Sequence, residues 1–594
     1  MRFRQLFNFS AVALLCAVFA VSFQPYDLVA QSPSSNFGVV IDVPPVSIAD
    51  NTVIGSNTQV NVTNGGTVGD QVEIGGRLVT TTNTELNVSG GVVGRFLQIY
   101  DNATLNVSGG VIDGNGSAES GSTVNISGGR LTGFDAEPGS SVNVSGGRID
   151  GFFSANSQNV NVSGGDFVNF FAEPSGDVDI SGGTFLNLTV RQGSVLNLSG
   201  GNISGSVNVA QGGATLNISG GSFPSSFSAN TFAPSVNIFG SDFLLNGNEI
   251  SNPESVRVTA SDLLTGTLAD GSVAIFSPRT SVALVRLQES PLPVIDTNTI
   301  VVNGPNDVTP NGLRGGQRLE LGDGGILGGN YGVINSELVV NGGLVERGLG
   351  LSGSQLEVNS GVIEQDVLAT FQSQVNVNNG VLEGRVDIQE GSTLNFAGGL
   401  AGQVILADST ANISGGEIDS IVEVLFGSSV NISGGIVGAS FSSRSLNVRS
   451  GASALVSGGL IRDEINVESG ALLEISGGII REISARSFSD VNLSVLEAFV
   501  DGVSITSILS DSEPFQLNER NVNLSGLFAD GTQFQFGLSD RFTDFPADGL
   551  QRGFFDTNAR LSLTLAVPEP TSVPLLLAAV GYAMGRRRKR NAGC

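Results

Sequence analysis

A six-residue phrase, hydrophobic-Asn-hydrophobic-Ser-Gly-Gly, recurs along this chain at nearly constant intervals. In a first stretch its second glycine falls at Gly91, Gly110, Gly129, Gly147, Gly165, Gly183, Gly201 and Gly221, with steps of 19, 19, 18, 18, 18, 18 and 20 residues. A degraded copy follows at Val236-Asn237-Ile238-Phe239-Gly240. In a second stretch it falls at Gly343, Gly361, Gly380, Gly399, Gly416, Gly435, Gly459 and Gly478, with steps of 18, 19, 19, 17, 19, 24 and 19. The 24-residue step contains a partial copy, Leu446 to Gly451, which predicts an irregular or bulged coil.

A period near 18 to 19 residues is too short for a helical-hairpin repeat, and β-branched residues fill its apolar positions. Within a copy such as Val142-Asn143-Val144 the pattern alternates apolar-polar-apolar, as in a half-buried strand. Ser145-Gly146-Gly147 supplies a turn, a second apolar pair follows (Val111-Ile112, Ile479-Ile480), and many copies reach a Gly-Ser corner (Gly121-Ser122, Gly139-Ser140). Strand, turn, strand and corner in 18 residues describe one coil of a parallel β-solenoid, an all-β fold. Equal coils stack Val on Val into one apolar column.

A longer period overlies the short one. Leu264 to Ser272 (LTGTLADGS) is echoed by Leu524 to Thr532 (LSGLFADGT), and Asp242 to Gly247 by Glu497 to Gly502. The body therefore reads as one unit, an array plus a trailing β module, present twice. A solenoid end exposes strand edges and core, so the trailing modules are expected to be caps. The predicted organisation is a signal peptide at 1–30, an N-terminal cap and first coils at 31–80, and the first array at 81–240. A capping module at 241–300, a linker and opening coil at 301–330, the second array at 331–490, a second module at 491–566 and a tail at 567–594 complete it.

Composition closes off most familiar chemistry. The chain has no His and no Trp, its one Lys is Lys589, and its two cysteines are Cys16 and Cys594. A Ser-His-Asp or Cys-His site, an imidazole metal site and a Lys nucleophile within the body are excluded. No internal disulfide framework is available. The net charge of -27 argues against nucleic acid and anionic membrane surfaces as partners.

The two ends read as addresses. Arg2 and Arg4 precede an apolar run from Ala11 to Val21, the pattern of a secretory signal with cleavage after Ser22 or Ala30. Cys16 as a lipidation site is disfavoured, because Leu15 precedes it where a small residue is expected. At the other end, Val567-Pro568-Glu569-Pro570 is followed by an apolar stretch from Val573 to Gly585 and then by Arg586, Arg587, Arg588, Lys589 and Arg590. That stretch is shorter than the ~20 residues a spanning helix needs, and the basic cluster would hold its end on the cytoplasmic side. The three parts in this order resemble a PEP-CTERM sorting signal, over about 28 residues. The resemblance implies that Pro568, Glu569 and Pro570 are read by an exosortase-like enzyme, that the tail is removed, and that the source is a bacterium with a double-membrane envelope. An ordinary short C-terminal anchor is the alternative. The Asn-x-Ser-Gly-Gly array together with this tail loosely resembles repeat-rich, autotransporter-like passenger proteins.

Within the body, Asn87, Asn106, Asn125, Asn143, Asn161, Asn197 and Asn217, then Asn376, Asn395, Asn412 and Asn431, fall at one position of the repeat. Lying between inward apolar residues, they are expected to point outward and to form an amide ladder from coil to coil. Asp179, Glu357 and Glu474 at the same position fit an exposed column. A retaining glycosidase would need two carboxyls about 5 Å apart, close to the coil spacing. Aligned by the repeat, the acids are expected to be separated: Asp113 from Asp150 by Thr132, Glu137 from Glu173 by Ala155, and Asp179 between Asn161 and Asn197. This spacing predicts that like charges avoid adjacent coils. Asp323-Gly324-Gly325 is only a fragment of a calcium-repeat motif, and no EF-hand pattern occurs. Phe152, Phe153, Phe167, Phe170 and Phe171 come nearest to an aromatic binding row, though core is the better assignment.

The expectation is a non-enzymatic, secreted or cell-surface structural protein with no catalytic residue, cofactor or metal. Its partners would be a transient sorting enzyme and extracellular polysaccharide. An adhesin or carbohydrate-binding surface protein, and a polysaccharide-degrading β-helix enzyme, are the alternatives.

Overall fold

The computed structural model describes residues 37–77, 81–210, 212–222, 226–229, 235–259, 262–276, 283–296, 298–438, 444–540 and 551–566. They form the predicted all-β fold, a parallel β-solenoid of about 25 turns with a spacing near 19 residues. Among the described residues there is no α-helix, and one short 3₁₀ turn occurs at Thr506–Ile508. The hydrogen-bonded strands fall into two sheets, one from Val39 to Glu289 and one from Ile300 to Leu565.

One coil shows how the sequence dictates the geometry. Val142 and Val144 pair in parallel with Val124 and Ile126 of the preceding coil and with Val160 and Val162 of the next. After the Gly-Gly turn, Ile149 pairs with Leu131 and Phe167, and after a second bend Phe153 pairs with Phe134 and Phe170. Each coil thus carries three short parallel segments. Val142, Val144, Ile149, Phe153 and Ala155 point inward and are buried, whereas Asn143 between the valines is exposed. Complete burial of such a side chain contributes roughly 1.5–3 kcal/mol, which offsets ~1–2 kcal/mol of backbone entropy per ordered residue. A one-residue slip would carry Asn inward and valine outward, so the register of the stacked strands is tightly constrained, and differences in coil length are absorbed at the turns.

The turn explains the glycines. Gly147 adopts φ +86°, where a side chain is strained. Gly146 is needed for space, because a Cβ there would lie 2.5 Å from the carbonyl oxygen of Ser127 in the coil below. Aromatics reinforce the interior of the first array. Phe153 stacks on Phe134 and Phe170 with centroids 6.0 and 5.2 Å apart, and Phe167 stacks on Phe185 at 4.9 Å. Phe153, Phe167 and Phe170 are core residues, so the suggested binding row does not exist as such. Phe152 is 39% exposed, and Phe171 lies under the Arg191 guanidinium at 4.7 Å.

The 24-residue step has a specific geometry. Leu446-Asn447-Val448 pairs with Val422-Glu423-Val424, the third segment of the coil below, and not with a first segment. The partial copy is therefore a third-segment strand, and the extra residues precede it.

Both arrays end in the same way. Antiparallel strands Leu264–Leu268 and Val273–Phe276 follow the first array, and Val522–Phe528 and Gln533–Ser539 follow the second. A later strand then rejoins the stack in parallel: Val236 pairs with Val285, and Val491 with Leu561. In each module an Asp-Gly turn docks on the last Gly-Gly turn of its array. Gly221 N–H donates to Asp270 Oδ2 at 3.2 Å, and Gly478 N–H donates to Asp530 Oδ2 at 2.9 Å.

Candidate functional site

The Asn column is a directional hydrogen-bonded ladder. Each amide nitrogen donates to the side-chain oxygen of the preceding coil: Asn61 to Asp42 at 2.9 Å, Asn87 to Asn61 at 3.0 Å, Asn106 to Asn87 at 2.9 Å and Asn125 to Asn106 at 2.9 Å. Asn143 to Asn125 at 3.1 Å and Asn161 to Asn143 at 3.2 Å complete the first run. Asp179 comes next, and a second run climbs from it through Asn197, Asn217 and Asn237 at 2.9, 2.8 and 2.7 Å. Asp42 and Asp179 thus sit at the accepting ends, as acceptor-only groups must. Arg286, a cation, pairs in register with Asn237 at the far end. In the second array Asn376, Asn395 and Asn412 form a shorter run, with both bonds at 2.9 Å.

Sequence reasoning missed a second ladder, inside the wall. Ser336, Ser354, Ser373, Ser392, Ser409 and Ser428 are buried at the corner. Ser336 N–H donates to Ser354 Oγ at 3.3 Å, Ser354 N–H to Ser373 Oγ at 3.1 Å, Ser373 N–H to Ser392 Oγ at 3.1 Å and Ser409 N–H to Ser428 Oγ at 3.3 Å. In the first array the equivalent Ser122, Ser140 and Ser194 hydroxyls donate to carbonyls three residues back, at 2.5, 2.7 and 2.6 Å. A Gly-Ser pair was the visible signal at Ser122, Ser140, Ser194, Ser354, Ser392 and Ser428, whereas Ser336, Ser373 and Ser409 follow Asn, Gln and Asp. Their burial follows from how coils stack, since a hydroxyl inside the wall must find a partner.

The acid columns require a correction. Glu464 pairs in register with Glu482. Ala118 pairs with Ala136, so the residues that follow them, Glu119 and Glu137, occupy successive coils. Ala136 pairs with Ala155 and Ala155 with Ala172, which makes Asn156, and not Ala155, the residue between Glu137 and Glu173. Like charges therefore do stack, where a donor attends them. Arg444 Nε lies 3.3 Å from Glu464 Oε2, Ser117 Oγ donates to Glu119 at 2.8 Å, and Asn156 Nδ2 donates to Glu137 at 3.5 Å. The columns therefore do not keep carboxylates out of adjacent coils. Asp113 and Asp150 are separated by Thr132 as expected, since Ile112, Leu131 and Ile149 share a column.

Asp135 stands beside these acids. Burial pushes its carboxyl above the ordinary range and the Glu119 charge adds to this, while hydrogen bonds from Ser154 and Asn115 pull the other way. Asp150 is the opposite case. Arg148, whose Nε lies 2.5 Å away, and Arg130 clamp it from successive coils and hold its carboxyl below the usual range.

Two concavities border the first closing module. An apolar cavity of about 20 Å³ lies among Ile218, Ile238, Phe243, Leu264, Leu268, Ala274, Phe276 and Val285, with room for about one water and no polar partner for it. A more open cleft of about 170 Å³ runs between that module and the second array, lined by Ser204, Ile275, Asn330, Gln365, Asp366 and Leu368 among others. Among the described residues no group of three or more acids is arranged to hold a metal ion.

The sequence-predicted sorting residues, Pro568, Glu569, Pro570 and Arg586 to Arg590, lie outside the described residues, as does the N-terminal signal segment. No helix among the described residues is long and apolar enough to cross a membrane, which leaves a β-barrel unaddressed. Comparison of the chain with protein-family models, with curated proteins and with solved structures finds no match.

Proposed function

We propose that this chain is a non-enzymatic structural protein of the cell exterior, an acidic β-solenoid rod exported through its N-terminal signal and sorted through its C-terminal tail. The carrying observation is that the repeat is spent on the stack itself. Its apolar positions fill the core, its glycines make the turns, and its asparagines and serines hydrogen-bond one coil to the next. Fold alone does not name a function, so the export half of the reading rests on the resemblance of residues 567–594 to a PEP-CTERM signal. The test is the mature protein. Mass spectrometry of the exported chain should find a start after Ser22 or Ala30 and the tail removed. Neutral residues in place of Arg586 to Arg590 should leave the protein unprocessed or mis-sorted. Unchanged processing of that variant would refute the sorting assignment.

A second reading, binding to extracellular polysaccharide, is favoured by one surface. Across four coils the outer face presents rows of Thr104-Asn106-Ser108, Thr123-Asn125-Ser127, Ser141-Asn143-Ser145 and Asn159-Asn161-Ser163, an uncharged strip on a strongly acidic chain. Sedimentation with insoluble neutral polysaccharides tests it, and absence of binding at any of them would remove it.

A further inference from the structure

The two closing hairpins pair position by position, although the second is also paired in parallel from Phe536 onward with Gln551–Phe555, and the residues that differ on their shared face are informative. In the first hairpin Thr265 pairs with Ile275 and Thr267 with Val273; in the second Ser525 pairs with Gln535 and Leu527 with Gln533. Val273 and Ile275 are therefore the counterparts of Gln533 and Gln535.

Val273 and Ile275 lie against the opening coils of the second array. A Cβ on Gly332 would be 2.6 Å from Val273 Cγ1, one on Gly312 would be 2.9 Å from Val273 Cγ2, and one on Gly350 would be 2.9 Å from Ile275 Cδ1. Gly332 and Gly350 are adjacent in one outward column, and the next members of that column are Leu368 and Asp387. Bare backbone occurs where the hairpin sits, and side chains return above it. The contact continues on both flanks. Asn330 Nδ2 donates to the Ile203 carbonyl of the first array at 2.9 Å, and the Phe371 ring approaches Gly247. The same column of the first array opens with Val53, Glu73 and Gln98, in register, and has no glycine.

We propose that the Val273/Ile275 edge and the Gly312, Gly332 and Gly350 surface form a lock that joins the two arrays into one rigid body. The surface is a receptor for an apolar closing hairpin. Gln533 and Gln535 are the device that keeps the second module from offering such an edge to another copy of the chain. Burial of small apolar surface against backbone gives shape selectivity, and a polar amide in the same place would lose its water without a partner.

The test uses the full chain. V273Q/I275Q, which installs the second module's residues in the first, should raise the radius of gyration and maximum dimension in small-angle scattering, while far-UV circular dichroism keeps its β signature. Gly332→Leu, on the receptor side, should do the same. Adding Q533V/Q535I to V273Q/I275Q leaves a free receptor and a new apolar edge, and should produce concentration-dependent association in sedimentation velocity. If both release variants retain the β signature and scatter like the parent chain, the lock is wrong. If the quadruple variant stays monomeric at all concentrations, the assignment of the glutamines is wrong.

Discussion

Replacing Gly147 by Ala in the fourth Gly-Gly turn of the first array asks the backbone to hold a methyl-bearing residue at φ +86°. A residue held in such a region costs of order 1–3 kcal/mol. Here the stack prevents relaxation, because the turn is sandwiched between equivalent turns. A Cβ on Gly147 would sit 2.8 Å from the Gly128 carbonyl oxygen, so steric cost adds to torsional strain. Gly146→Ala brings its Cβ to 2.5 Å from the Ser127 carbonyl oxygen, an overpacking contact of about 1–3 kcal/mol. Asn143→Ala, three residues earlier, removes two exposed amide bonds of 3.1 and 3.2 Å. Each contributes about 0.5 kcal/mol, the low end of the range, because both are exposed and water replaces the lost partner. The expected order is a severe loss for either glycine and a mild one for the asparagine. Because a repeat array can open locally, amide hydrogen exchange over Val142–Ala155 is the suitable assay. Protection should fall about ten- to hundredfold for each glycine variant, as 1.4 kcal/mol is a factor of ten, and less than tenfold for Asn143→Ala. Equal losses, or a larger loss at Asn143, would refute the argument that stacking of backbone at the turn, and not the amide ladder, sets coil stability.

The ladder's direction makes a signed prediction. Asp179 has no N–H to give Asn161, so Asp179→Asn joins the two runs and should stabilise the array by roughly 0.5–1 kcal/mol, while Asn125→Asp breaks a run and should destabilise it by about 1 kcal/mol; exchange protection of the flanking coils reads both, and a loss on Asp179→Asn would contradict the ladder. For Asp135, the raised carboxyl means the folded state binds its proton more tightly than the unfolded state. Its ionisation therefore costs stability at neutral pH, and that cost disappears as pH falls through its raised value. Asp135→Asn should flatten this part of the stability-pH profile and leave the first array more stable at pH 7; an unchanged profile would refute the assignment.

How much was legible in the sequence follows from which forces are periodic. The period-two alternation at Val142-Asn143-Val144 fixes which residues face the core, and a constant step fixes that each coil falls on the last. Together these determined the all-β solenoid and the outward Asn column without coordinates. The duplicated LxGxxADG[ST] segment likewise showed that the chain is one unit repeated. The tertiary structure decided what depends on register between coils. Steps of 17 to 24 residues let columns drift, so Asn156 falls between Glu137 and Glu173, and Glu464 comes to lie beside Glu482. A buried hydroxyl such as Ser392 is written like any Gly-Ser turn, and only stacking shows that its oxygen accepts from the coil below. The packing of the first module on the second array could not be read at all. Val273 and Gly332 are distant in sequence and follow no shared period, and their contact exists because two surfaces built from separate coils fit in shape.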